Sequence, residues 1–115
     1  NHAPNPQEYL LSGFGACMMM AFVSGATAKG IQLEHLSINV EGDLDLHGFL
    51  GMESNAPVGF SAIRYRIDVR GDASPETFEA LRQQAESHSP NAMTLANPVE
   101  LLGEINAEEV RDSDT

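Results

Sequence analysis

Residues 5–30 read NPQEYLLSGFGACMMMAFVSGATAKG, and the fold turns on this stretch. Asn5 is a good N-cap, Pro6 suits the first helical position, and Glu8 stands at N3 to close a capping box. Lys29 favours the negative end of a helix dipole, and Gly30 suits the left-handed residue just beyond it. The pattern predicts a helix over 6–29, about 36 Å long at about 1.5 Å per residue. From Tyr9 to Ala28 it carries no charge. A run of roughly 18 such residues would ordinarily raise a membrane span. Gly13, Gly15, Gly25, Ser12, Ser24 and Thr27 make this run small and polar rather than Leu-rich, and the rest of the chain is acidic. The reading is a core helix and no membrane partner. A helix apolar on every face is buried on every face. One small domain can hardly surround it, so the expected cover is a second copy of the chain, a homodimer.

Downstream, Leu36, Ile38, Val40, Leu44 and Leu46 alternate with polar residues, the period of a half-buried strand. A Gly/Asn/Pro-bearing loop, 47–59, follows. Ile63, Tyr65, Ile67 and Val69 then alternate with Arg64, Arg66, Asp68 and Arg70, a second strand whose arginines are read as pairing with neighbouring carboxylates. Ser74-Pro75-Glu76 starts a helix over 75–87, with Phe78, Leu81 and Ala85 on one face. Ser89-Pro90-Asn91 opens a short helix through about Leu95. Pro98 to Ile105 reads as a last strand, and Glu108–Thr115 as an acidic tail. The element order gives an α+β domain with a mainly antiparallel sheet.

At 115 residues the chain is expected to be a single domain (1–115) with one modest core. Seventeen Asp and Glu against six Lys and Arg leave a net charge of −11, which argues against nucleic acid, because binding phosphates needs a basic face. One cysteine excludes an internal disulfide and a Cys-rich zinc site. Asn1 stands where a start Met would, with no basic signal region behind it, so the chain is read as cytoplasmic and as the later part of a longer reading frame that lacks a front strand segment.

Candidate chemistry is sparse. Cys17 lies in mid-helix among Gly, Ala and Met, where the bland reading is a small core hydrophobe. It is three turns from the helix start, so an activator has to come from another element. His2, His35, His47 and His88 lack metal-ligand spacing, and no Gly-x-Ser-x-Gly elbow supports a serine triad. No metal and no cofactor are expected.

Taken in order, Asn5-Pro6-Gln7-Glu8-Tyr9-Leu10-Leu11, Gly15-Ala16-Cys17, Gly30-Ile31 and Val40-Glu41-Gly42-Asp43 resemble the OsmC/Ohr family of osmotically inducible and organic hydroperoxide resistance proteins. Ser74-Pro75-Glu76 falls at that family's second helix and Ser89-Pro90-Asn91 at its second cysteine motif. The resemblance implies an intertwined homodimer in which sheets wrap a pair of long central helices. It also implies that a helical cysteine attacks an organic hydroperoxide and becomes a sulfenic acid, which a second cysteine resolves and external dithiols reduce, with an Arg and a Glu holding the thiolate and the peroxide.

Three departures matter. Ser89 replaces the resolving cysteine, Gln7 replaces the active-site acid unless Glu8 substitutes, and the segment that carries the Arg is not in this chain. The leading expectation is therefore a one-cysteine hydroperoxide reductase. Cys17 would be catalytic; Gln7, Glu8 and Ser89 would contact substrate; an external thiol would resolve the sulfenic acid. Any positive neighbour for the thiolate would come from upstream or from a basic strand residue. The alternatives are a dimer-interface pocket, walled by Phe14, Met18–Met20, Phe22 and Met93, that binds a small apolar ligand without redox chemistry, and a purely structural dimeric module.

Overall fold

The computed structural model describes residues 5–53 and 57–110. His2 and residues 111–115 of the acidic tail lie outside the described residues. The element order is α1 (Pro6–Ala28), β1 (Leu33–Asp43), α2 (Leu46–Phe49), β2 (Ala62–Gly71), α3 (Pro75–His88) and α4 (Pro90–Ala96). Helices and a two-stranded antiparallel sheet make an α+β architecture.

Local chemistry starts each helix as its sequence dictates. The Asn5 side chain accepts from the Glu8 backbone N–H at 2.8 Å, and Glu8 accepts from the Asn5 N–H at 3.0 Å, a complete capping box. Ser74 and Ser89 cap α3 and α4, each followed by proline. At the far end of α1 the chain leaves through Gly30 at φ +69°, a conformation that costs glycine little and other residues more.

Register then builds the core. Leu36, Ile38 and Val40 of β1 stand opposite Val69, Ile67 and Tyr65 of β2, so one face of the sheet is apolar throughout. On the other face Arg64 grips both Asp43 oxygens at 2.7 and 2.9 Å and Glu41 at 3.0 Å, Arg70 pairs with Glu34 at 3.0 Å, and Arg66 pairs with Asp68 at 3.3 Å. The expected pairing of the strand arginines with carboxylates is found. The apolar face packs under α1, whose buried stripe Phe14, Met18, Phe22 and Ala26 meets Leu81 and Ala85 of α3 and Ala92 of α4. By length and composition α1 could cross a membrane, yet this stripe belongs to the core of the fold.

Three expectations are corrected. The first strand runs from Leu33 to Asp43, because Asp45 caps a short helix that takes Leu46 out of the alternation. The loop expected over 47–59 accordingly begins with that helix. The expected strand over 98–105 does not form: the segment has the alternation but no strand pairs with it, and Leu101, Leu102 and Ile105 are 85–91% exposed. A strand is a pairing and not a local property, and within one chain this segment meets neither sheet edge. The radius of gyration, 20.1 Å, exceeds the roughly 13 Å of a compact chain of about 100 residues for the same reason. One chain buries a single stripe of α1, while Tyr9, Leu10, Met20 and Val23 stay exposed on it, in keeping with the expectation that one small domain does not surround this helix.

Leu81 is fully buried between α3 and α1. Leu81→Ala is expected to cost about 2–5 kcal/mol of unfolding free energy in urea titrations, while truncating the fully exposed Leu102 has little effect.

Candidate functional site

Helical geometry decides which residues of α1 can act together. Positions 7, 10, 14 and 17 fall on one face, so Gln7, Leu10, Phe14 and Cys17 form a single row along the helix. The α3–α4 junction closes over the Cys17 end of that row. Ser89 is at once the C-cap of α3 and the N-cap of α4 and is fully buried. Its Oγ accepts from the Ala92 backbone N–H at 3.1 Å and donates to Cys17 Sγ at 2.9 Å. The hydroxyl thus makes two hydrogen bonds, one accepted from the Ala92 amide and one donated to sulfur. A neighbouring contact fixes the same junction: Asn91 Nδ2 donates to the Gly13 carbonyl at 2.9 Å, the carbonyl that α-helical geometry assigns to the Cys17 N–H. Among the described residues the Ser89 hydroxyl is the hydrogen-bond partner of Cys17.

The Gln7 end of the row lines a half-open cleft of about 680 Å³. Its walls are Leu10, Phe14, Val58, Phe60, Met93 and Leu95, and it begins one turn from Cys17. Phe60 can lie flat over β1 because residue 42 is glycine; a Cβ there would come within 2.6 Å of the ring. The polar groups lining the cleft are Gln7, Ser61, Tyr65 and Glu86. Tyr65 reaches it from β2, with its ring edge-on to Phe14 at 5.4 Å between centroids. The Tyr65 hydroxyl donates to Glu86 Oε1 at 2.6 Å and accepts from Arg82 Nη1 at 2.8 Å. Burial, then the bond to Glu86, raises the Tyr65 phenol above its ordinary value of 10, with Arg82 pulling the other way. Arg82 also grips Glu79 through Nε and Nη2, which holds that carboxyl down at about 2.

Of the four residues singled out from sequence, Cys17 and Ser89 are brought into contact. Gln7 lines the cleft, about 15 Å from Cys17 along the helix axis. Glu8 points to another face: it closes the capping box and borders a shallow cleft against Val40, Glu41 and Gly42. The basic strand residues are engaged by carboxylates on the far face of the sheet and give Cys17 no cation. The expected apolar wall is also revised. Phe14 and Met93 line the cleft, but Met18 and Phe22 are fully buried in the core and Met20 is exposed. Tyr65 and Glu86 were not singled out. The available signal was a tyrosine on the inward face of a strand, whose hydroxyl needs a partner when buried. Among the described residues no three His, Cys, Asp or Glu side chains are grouped to hold a metal ion.

With this geometry in place, comparison with known proteins is informative. The sequence model of the OsmC family, described as OsmC-like protein, matches residues 1–102. Among solved structures, an OsmC-like protein from Mycoplasma pneumoniae superposes with a TM-score of 0.73 at 22% identity, over 84% of this chain and 64% of that one. An OsmC-like hydroperoxide resistance protein from Jannaschia sp. gives 0.72 at 18% identity, over 94% and 70%. An organic hydroperoxide resistance protein OsmC from Legionella pneumophila gives 0.65 at 23%, over 83% and 64%. The chain thus spans just under two thirds of the length of the first of these structures, and at such identities the likeness is one of fold. No protein of curated function matches the sequence.

The chain has two tyrosines, so Tyr9→Phe leaves Tyr65 as the sole phenol. Its absorbance titration at alkaline pH is expected to have a midpoint above 10, and the stability gained from the buried phenol, full below 10, is expected to fall as pH rises through that midpoint. A midpoint at 10 in the folded chain would contradict the buried placement.

Proposed function

We propose, given that the chain belongs to the OsmC-like protein family, that it reduces organic hydroperoxides through Cys17 alone, with external thiols completing the cycle. The observation that carries this reading is the 2.9 Å hydrogen bond from the buried Ser89 hydroxyl to Cys17 Sγ. A hydrogen bond to an ionised acceptor is stronger than one to a neutral group, and this donor stands where it would hold a thiolate once one forms. In the first step the thiolate of Cys17 attacks one peroxide oxygen. An S–O bond forms, the O–O bond breaks, and the alkoxide leaves with the electron pair, takes a proton and departs as the alcohol. Sulfur, oxidised by two electrons, is left as a sulfenic acid. Ser89 has no thiol with which to close a disulfide, so an external thiol condenses there and releases water. A second external thiol then displaces Cys17 from the mixed disulfide. No group bound to the protein is called for. The reading places the protein in the cytoplasm, where reduced thiols abound.

A second copy of the chain belongs to the same reading. It is supported by the exposed apolar face of α1 (Tyr9, Met20, Val23) and by the exposed Val99, Leu101, Leu102 and Ile105. A second functional reading, carried by the cleft itself, keeps the ligand and drops the redox step: a small apolar molecule held against Phe14 and Met93.

Cys17→Ser is expected to abolish consumption of cumene hydroperoxide in the presence of excess thiol. Ser89→Ala is expected to slow dimedone-trappable oxidation of Cys17 by on the order of tenfold, the loss of one hydrogen bond to a charged group. Ser89→Cys should close an internal disulfide with Cys17 on adding one equivalent of peroxide, seen as a mass lower by two hydrogens. A Cys17 thiol oxidised no faster than free cysteine would leave the redox-free reading in first place. Sedimentation equilibrium is expected to give twice the 12.4 kDa chain mass, with Met20→Glu shifting it towards one chain; a monomer at micromolar concentration contradicts the dimer.

A further inference from the structure

Among the described residues the apolar cleft has one charged residue in its lining, and that residue is acidic. Glu86 stands at the end of an otherwise apolar or neutral surface. Its two contacts both fall on Oε1, the Tyr65 hydroxyl at 2.6 Å and Arg82 Nη1 at 3.5 Å. Oε2 takes no hydrogen bond from any described residue. Arg82, which pairs with Glu86 at 3.5 Å, divides its single charge between this carboxylate and Glu79, so the three groups together keep one net negative charge. Arg82 gives Nε and Nη2 to Glu79 at 2.8 and 2.6 Å and Nη1 to the Tyr65 hydroxyl at 2.8 Å, and it does not line the cleft. Tyr65 spends its own donor on Glu86, so its hydroxyl has no proton left for a ligand. Gln7 and Ser61, the other polar lining groups, are neutral and serve either a donor or an acceptor. The field of the whole chain, at −11, has the same sign as Glu86.

We propose that this cleft selects amphiphiles whose polar end is a hydrogen-bond donor without negative charge: alcohols and hydroperoxides of uncharged hydrocarbons, and more strongly ammonium compounds. It rejects carboxylates such as free fatty acids. The apolar walls bind the hydrocarbon body, and Glu86 reads the head group through its free oxygen. A carboxylate head placed there meets a like charge, and the repulsion opposes its binding. The inference rests on the cleft being the ligand site, as the redox-free reading has it, and is independent of the chemistry of Cys17.

Calorimetric titration of the unmodified chain with octylamine, octanol and octanoate tests the ranking. Octanoate is expected to bind at least about tenfold more weakly than octanol, and octylamine at least as tightly as octanol. Glu86→Gln, which keeps an acceptor for Tyr65, should bring octanol and octanoate within about threefold of each other. Glu100→Gln, which removes one exposed carboxylate away from the cleft, should leave the ratio as it was. Octanoate binding as well as octanol, no binding of any of the three, or a ratio unmoved by Glu86→Gln would each overturn the proposal. The ranking in the unmodified chain decides the matter even where the Glu86 variant fails to fold. Repeating it with Cys17→Ser separates the two claims: an inert thiol with the ranking intact defeats only the peroxidase reading, and an active thiol with no ranking defeats only this one.

Discussion

The constraint on which this structure depends is the need to cover a 23-residue apolar helix with a 115-residue chain. Exposed apolar surface costs about 25 cal/mol per Å², so each face of α1 left in water weighs against a fold that is only marginally stable. The chain meets half of that need. The sheet takes one side of the Phe14–Ala26 stripe, and α3 and α4 take the flank with Leu81, Ala85 and Ala92. Everything functional is a by-product of that covering. The α3–α4 junction lands on Cys17 because α4 has to turn back across α1, and the cleft opens where the β1–β2 connection and α4 leave α1 incompletely roofed.

The residue at the α3–α4 junction carries a hydroxyl, and that decides what the junction can do beside Cys17. A serine at the N-cap satisfies the amide of Ala92 and still has one hydrogen to give, and the geometry spends it on Cys17. A hydroxyl can support a thiolate but cannot trap a sulfenic acid. In the proposed peroxide cycle Ser89 would therefore serve the first half and leave the second to an external thiol. Catalysis with this pair requires a thiol from outside, and hence access to a sulfur that α4 partly covers.

Much of this was legible in the residues. Asn5-Pro6-Gln7-Glu8, Ser74-Pro75 and Ser89-Pro90 act through side chains three residues from their targets, so local sequence fixes them, and the structure has every one of these caps. The strand arginines were readable for the same reason, since a carboxylate-rich neighbouring strand leaves them few other partners. Tertiary placement was not legible. Nothing local says that Met18 goes to the core while Met20 points outward, or that Glu8 and Gln7, adjacent in sequence, serve different faces. The Tyr65–Glu86–Arg82 cluster joins a strand to a helix 17 to 21 residues on, and only the fold brings them together.

The segment after Ala96 shows where sequence logic and single-chain structure part. Val99, Leu101 and Ile105 keep a strand's alternation, yet they stand in solvent with Leu102, far from either strand. The exposed face of α1 has the matching deficit: an apolar surface with nothing over it. A sequence that writes an amphipathic strand without an edge and an apolar helix without a roof is inconsistent for an isolated chain, and natural sequences are consistent across levels. The two inconsistencies cancel if each belongs to a surface completed by another copy. In that assembly the cleft would also lose part of its opening to solvent. The lone carboxylate in its lining would then act in a drier medium, where a charge weighs more on the choice of ligand than it does in the open groove of one chain.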